Sequence, residues 1–144
     1  MTNIEETDIT EIMNNTGLRT PHILIVDDEN LIRWSLKNML QKIGFDITVA
    51  DSGDAAMEKL CELRFDLVIT DMKLPRADGF QVAAAVRKYS PDAPIIMISA
   101  FGDSRSREKA REFKIDYFMD KPFDFTEFIG FVKTILESGG RNDG

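Results

Sequence analysis

The feature that most constrains this chain is a fivefold alternation of short aliphatic runs with longer stretches of helical period. The candidate strands are His22–Val26, Ile47–Ala50, Leu67–Thr70, Ile95–Ser99 and Tyr117–Met119. Between and after them, Leu31–Ile43, Gly53–Leu63, Phe80–Tyr89, Arg105–Phe113 and Phe125–Leu136 carry helical spacing. Strand and helix alternating in this way is the pattern of βαβ units around a parallel sheet. Runs such as ILIV and IIMI have no polar alternation, which fits inner strands covered by helices on both faces; the more polar second run suits an edge. Ser52 and Asp124 stand where helix N-caps belong. The expected fold is α/β, with five parallel strands and helices on both faces.

Composition narrows the function classes. At 144 residues, with 43% hydrophobic and 30% charged side chains, the chain reads as one globular domain with a single core. No apolar run is long enough for a bilayer span or a secretory signal, so the expected location is cytoplasmic, without membrane association. The lone Cys61 excludes an internal disulfide and a multi-cysteine zinc site, and is expected to be a reduced, half-buried packing residue. A net charge of -7 with scattered basic residues argues against direct nucleic-acid binding by this chain. Trp34 is expected to pack against the core from the first helix, and His22 to be a surface or edge residue.

Ligands of such sheets bind beyond the carboxyl ends of the strands. The residues leaving the strands at that rim are Asp27 and Asp28 after the first, Asp71 after the third, Ser99 after the fourth and Lys121 after the fifth. Taken singly, each has an ordinary reading: Asp27 or Asp28 as a helix cap, Ser99 as a structural hydroxyl, Lys121 as a solvated loop charge. Together they demand more. Three clustered carboxylates raise one another's proton affinity, so the arrangement makes sense chiefly if a cation joins them. All-oxygen ligands point to a hard ion such as Mg²⁺, with the Lys73 backbone carbonyl as a further candidate ligand. A carboxylate can attack a phosphoryl group if the incoming charge is neutralised on several sides. Asp71 is the candidate nucleophile, with Lys121 and Ser99 holding phosphoryl oxygens beside the ion.

The segments ILIVDDE, DLVITDMKLPRADGF, IIMISA and DYFMDKPF resemble the response-regulator receiver domain of two-component signalling over roughly residues 21–137. The match includes the acid pair, Asp71 followed by Pro75 and Gly79, the Ser99–Ala100 pair and Lys121–Pro122. The resemblance implies a flavodoxin-like, doubly wound (βα)5 fold. It implies a regulatory phosphoacceptor and not a turnover enzyme, taking a phosphoryl group from a sensor histidine kinase or phosphotransfer protein onto Asp71 in the presence of Mg²⁺ or Mn²⁺. It further implies a cis peptide at Lys121–Pro122, and a switch in which Ser99 moves toward the phosphoryl group and Phe118, in the aromatic switch position, follows. The signal would then reach a downstream effector or a second copy through the fourth helix, fifth strand and fifth helix. In receivers the positions two beyond the acceptor and two beyond the hydroxyl flank the attacking water. Here they are Lys73 and Phe101, neither able to orient that water, so a long-lived phosphorylated state is expected. IRWSL and the form of the last helix resemble receivers attached to enhancer-binding transcriptional activators.

Residues 1–20 are expected to form a short helix, with Ile9, Ile12 and Met13 on one side, or a disordered acidic arm; 138–144 read as a flexible tail or the start of a linker. Two rivals are open to test. A phosphatase of the haloacid-dehalogenase type needs a second acid two residues after its nucleophile, where this chain has Lys73. A degenerate receiver acting as a phosphorylation-independent module would have lost part of the acid pair, the acceptor or the lysine, all of which are present.

Overall fold

The structure, a computed structural model, describes residues 19–100, 102 and 104–137. The expected helix or arm before residue 19, the tail from 138 and Phe101 lie outside the described residues.

Five parallel strands, β1 (His22–Val26), β2 (Asp46–Ala50), β3 (Leu67–Asp71), β4 (Ile95–Ser99) and β5 (Tyr117–Asp120), form one sheet in the order β2-β1-β3-β4-β5. Helices α1 (Asn30–Ile43), α2 (Gly53–Glu62), α3 (Gly79–Tyr89), α4 (Ser104–Glu112) and α5 (Phe125–Glu137) alternate with them. The anticipated elements are all present, their ends differing by at most a single residue, and the polar second run is indeed an edge strand. Ser52 and Asp124 cap as expected, their side chains accepting the N–H groups of Ala55 and Glu127 at 3.1 and 3.0 Å. Asp78 adds a capping box with Gln81 at the start of α3.

Successive strand residues point to opposite faces, and the core divides accordingly. Ile23, Ile25, Leu67, Ile69, Ile96 and Ile98 pack against α1 and α5 on one face. Leu24, Val26, Val68 and Ile95 pack against α2 and α3 on the other. Beside the latter, Met72, Phe80, Met97 and Ala110 bring in α4, with Phe118 half-buried against them.

Three residues sit differently from expectation. On α1 the buried stripe is Leu36, Leu40 and Ile43; Trp34 lies about 200° around the helix from Leu36 and is 64% exposed. On α2 the stripe is Gly53, Ala56 and Leu60, so Cys61, one residue on, faces solvent, its Sγ 3.3 Å from the Glu58 carbonyl. His22 is neither on an edge strand nor free: β1 runs between β2 and β3, the His22 ring lies 2.6 Å from the Thr48 hydroxyl, and its centroid is 4.5 Å from that of Phe65.

The amino-terminal rim of the sheet is closed by paired charges. Arg87 donates to the carbonyls of Ala93 and Lys114 at 2.7 and 2.6 Å and to Asp116 at 2.9 Å. Asp116 in turn accepts the Ile95 N–H at 2.8 Å. Arg19 grips both oxygens of Asp66, which also accepts the His22 N–H. Loops at that end are thereby fastened to strand starts.

At the opposite rim, backbone approach does the fastening. The start of α2 lies directly against the segment between β3 and α3, so close that a Cβ on Gly53 would come within 1.9 Å of the Ala77 carbonyl oxygen. Gly53→Ala should therefore lose about 2 kcal/mol of unfolding free energy, read as a lower urea midpoint at unchanged slope. Unchanged stability would show that this segment yields freely.

Candidate functional site

Parallel strands all end on the same side, so the residues that leave β1, β3, β4 and β5 meet at one rim. Asp71 closes β3, and Asp27 follows β1, held by its N–H to the Ala50 carbonyl at 3.1 Å. Both are buried, at 7% and 2% exposure, while Asp28 is exposed. One carboxylate oxygen from each of the three lies within 4.8 Å of the others, a spacing that could hold a metal ion.

Lys121 enters this cluster from the end of β5, where its N–H donates to the Ser99 carbonyl at 2.8 Å. Its Nζ donates to Asp71 Oδ2 at 3.1 Å and lies 3.8 Å from Asp27 Oδ2. The Lys121–Pro122 peptide is cis. Ser99 is fully buried at the end of β4, one position beyond the partner of Asp71 in the strand register. The sequence-derived Asp27, Asp28, Asp71, Ser99 and Lys121 thus share this rim. Lys73 is exposed just after β3, and its N–H donates to the Asp71 carboxylate.

Neither aspartate of the acid pair caps α1. Asp27 Oδ1 accepts the Glu29 N–H at 2.8 Å, and Glu29 occupies the cap position without a side-chain cap. Asp27 Oδ2 is buried with no hydrogen-bond partner among the described residues. Burial pushes the Asp27 carboxyl up to about 6, with the Glu29 N–H opposing and the Asp71 charge adding to the rise. Burial also raises Asp71, against the pull of Lys121. The Lys121 ammonium, which burial alone would lower, ends above its ordinary value through Glu29, Asp27 and Asp71. The rim therefore holds excess negative charge around a single close ammonium, which suits a cation and an incoming phosphoryl group.

Phe118 stands beside this rim on β5, paired in register with Met97. The Arg107 guanidinium covers its ring at 4.8 Å and pairs with Asp120 at 2.5 Å. The sequence reading missed Glu29, whose Oε1 accepts from Lys121 Nζ at 2.7 Å. The only signal was a third acid directly after the pair in VDDE, which helix-start composition accounts for equally well. A concavity lined by Arg19, Leu60, Phe65, Tyr89 and Ser90 lies at the other end of the sheet and takes no part in this cluster.

Comparisons with known proteins agree with this geometry. The transcriptional regulatory protein SrrA of Staphylococcus aureus is 39% identical over 114 residues, 79% of this chain and 47% of its own length. The chain spans about half the length of the curated relatives it matches. The crystal structure of response regulator protein TrrA from Thermotoga maritima, in complex with Mg(2+)-BeF, superposes with a TM-score of 0.69 at 37% identity, covering 80% of this chain and 98% of that one. A CheY-like receiver domain from Methanospirillum hungatei shares the fold, with a TM-score of 0.80 at 24% identity over 84% of this chain and 97% of that one. The family model for the response regulator receiver domain matches residues 23–133, and with the acidic rim and its lysine in place the chain belongs to that family, the phosphoryl-accepting receivers of two-component signalling.

Proposed function

We propose that Asp71 is the phosphoacceptor, receiving its phosphoryl group from a phosphohistidine on a sensor histidine kinase or phosphotransfer protein. The observation that carries this reading is the Lys121 ammonium 3.1 Å from a buried Asp71 oxygen. A carboxylate oxygen of Asp71 attacks phosphorus, an O–P bond forms as the donor's N–P bond breaks, and the departing imidazole nitrogen takes up a proton. Lys121 and the Ser99 hydroxyl hold phosphoryl oxygens as charge builds on them.

Asp27, Asp28, Asp71 and the Lys73 backbone carbonyl would hold Mg²⁺, for which Mn²⁺ could substitute. The hard oxygen donors and the unpartnered Asp27 Oδ2 fit such an ion. When bound, it neutralises phosphoryl oxygens and the attacking carboxylate. The chain's own groups do the rest: the Lys73 N–H orients Asp71, and burial keeps competing water away from it.

In this reading the receiver unit runs from 21 to 137, acts in the cytoplasm, and is a regulatory acceptor without turnover of its own. Its donor docks beside the site, on the start of α1 where Leu31 and Trp34 are 73% and 64% exposed. Ser99 and Phe118 relay phosphorylation to the α4-β5-α5 surface, which takes a downstream effector or a second copy. Transcription is the output, as the name of SrrA says of that relative. Lys73 and Phe101 slow hydrolysis of the phosphorylated state.

A small phosphodonor with Mg²⁺ should phosphorylate the parent protein and leave Asp71→Asn unlabelled in intact-mass spectra; equal labelling of both would exclude Asp71. Lys73→Asn should shorten the lifetime of the phosphorylated form, measured by its decay with Mg²⁺ present; an unchanged lifetime removes Lys73 from that role. The electrostatics make a third prediction. Asp27 sits at about 6 in the folded protein against an ordinary 3.8, so the folded state keeps a proton that the unfolded chain has lost between those values. Without divalent cations, its contribution is fully favourable below the lower value and is lost as pH rises through the higher one. Asp27→Asn, which retains an oxygen for the Glu29 N–H, should be about 2 kcal/mol more stable than the parent near neutral pH, a gap that closes on acidification. A gap independent of pH would contradict the assignment.

A further inference from the structure

We propose that Glu29 is a positioning residue for phosphoryl transfer: its carboxylate holds the Lys121 ammonium in a resting position from which the phosphoryl group must draw it. The inference rests on the reading of Asp71 as acceptor and concerns the lysine that reading needs.

Lys121 Nζ lies nearest to Glu29 Oε1, at 2.7 Å, and farther from Asp71 Oδ2 and Asp27 Oδ2, at 3.1 and 3.8 Å. Glu29 and Lys121 follow the first and the last strand, 92 positions apart in sequence. The Lys121 side chain is 17% exposed and that of Glu29 57%, so Glu29 reaches the ammonium from the solvent side while the aspartates reach it from within. Capping does not account for this side chain. Glu29 occupies the N-cap of α1 with extended backbone, yet caps nothing. Cap positions favour shorter Asp, Asn, Ser or Thr, whose oxygens return to the first turn.

Charge makes the placement more pointed. Asp27, Asp28 and Asp71 already cluster here, and a fourth carboxylate is unfavourable where a dianionic group must enter. The Lys121 contact offsets that cost in the resting state. Once a phosphoryl group is on Asp71, its oxygens become the stronger acceptors and the ammonium moves toward them, stretching the bond to Glu29. Glu29 thereby sets how readily Lys121 is transferred, and so how tightly the phosphorylated arrangement is held.

The test is beryllofluoride binding with Mg²⁺, measured by titration on the whole chain. Glu29→Gln keeps the length and an acceptor oxygen but removes the charge, and should bind beryllofluoride about fivefold more tightly, because an ion pair becomes a weaker ammonium–amide hydrogen bond. In a Lys121→Met background the same change should make no difference. Unchanged or weaker binding by Glu29→Gln overturns the proposal, as does an equal gain in the Lys121→Met background, which would mean general relief of repulsion. If the parent binds no beryllofluoride, or Asp71→Asn binds it equally well, it is the acceptor assignment that fails.

Discussion

Everything at the carboxyl-terminal rim depends on one ammonium shared among acids. Asp27 and Asp71 are carried into the sheet's end by two inner strands, and neither could hold a full charge there in isolation. Lys121 reaches them from β5, with β4 between its strand and that of Asp71. Its backbone is fixed by the Ser99 carbonyl, so the ammonium's position is set by the register of β4 and β5. The site is thus a property of the whole sheet, since shifting one strand would separate the lysine from its carboxylates.

The two rims of this sheet use charge in opposite ways. At the amino-terminal end, Asp66 meets a bidentate arginine and a strand N–H, and Asp116 meets Arg87 and the Ile95 N–H. Their acids are matched one for one, an arrangement that fastens loops. At the carboxyl-terminal end three carboxylates and Glu29 crowd one lysine, and an Asp27 oxygen is left without a hydrogen-bond partner among the described residues. Excess acid is tolerated where a ligand can relieve it, and the remainder of the fold supplies the stability that this rim forgoes.

How much was legible in the sequence follows from the same distinction. Strand ends were legible because uninterrupted aliphatic runs stop abruptly at polar residues, and parallel connection carries each stop to one rim. Asp27, Asp28, Asp71, Ser99 and Lys121 could therefore be grouped before any distance was known. Trp34 and Cys61 went astray because residue type was read without helical phase: in each helix the stripe that meets the sheet leaves them on another side. Glu29 escaped for a different reason. Its significance lies in a contact spanning 92 positions, and nothing local separates an acid at a helix start from one that reaches a distant lysine.

The arrangement also determines what a change at Asp71 must disturb. Lys121 is bound through its side chain to β3 and the start of α1, and through its backbone to β4. Its neighbour Asp120 is paired with Arg107 of α4, whose guanidinium covers Phe118. Gly102, whose carbonyl accepts from Arg107, lies so close that a Cβ there would come within 2.1 Å of an Asp120 oxygen and 3.0 Å of the Phe118 ring. The acid that holds the charged lid over Phe118 and the ammonium facing Asp71 therefore belong to adjacent residues, Asp120 and Lys121, at one strand end. A movement of the Lys121 backbone would reach the contacts of Asp120 next to it, because close-packed contacts do not deform smoothly. The chemistry proposed at Asp71 and the surface of α4 thus meet at neighbouring residues of the chain, beside the proposed relay through Ser99 and Phe118.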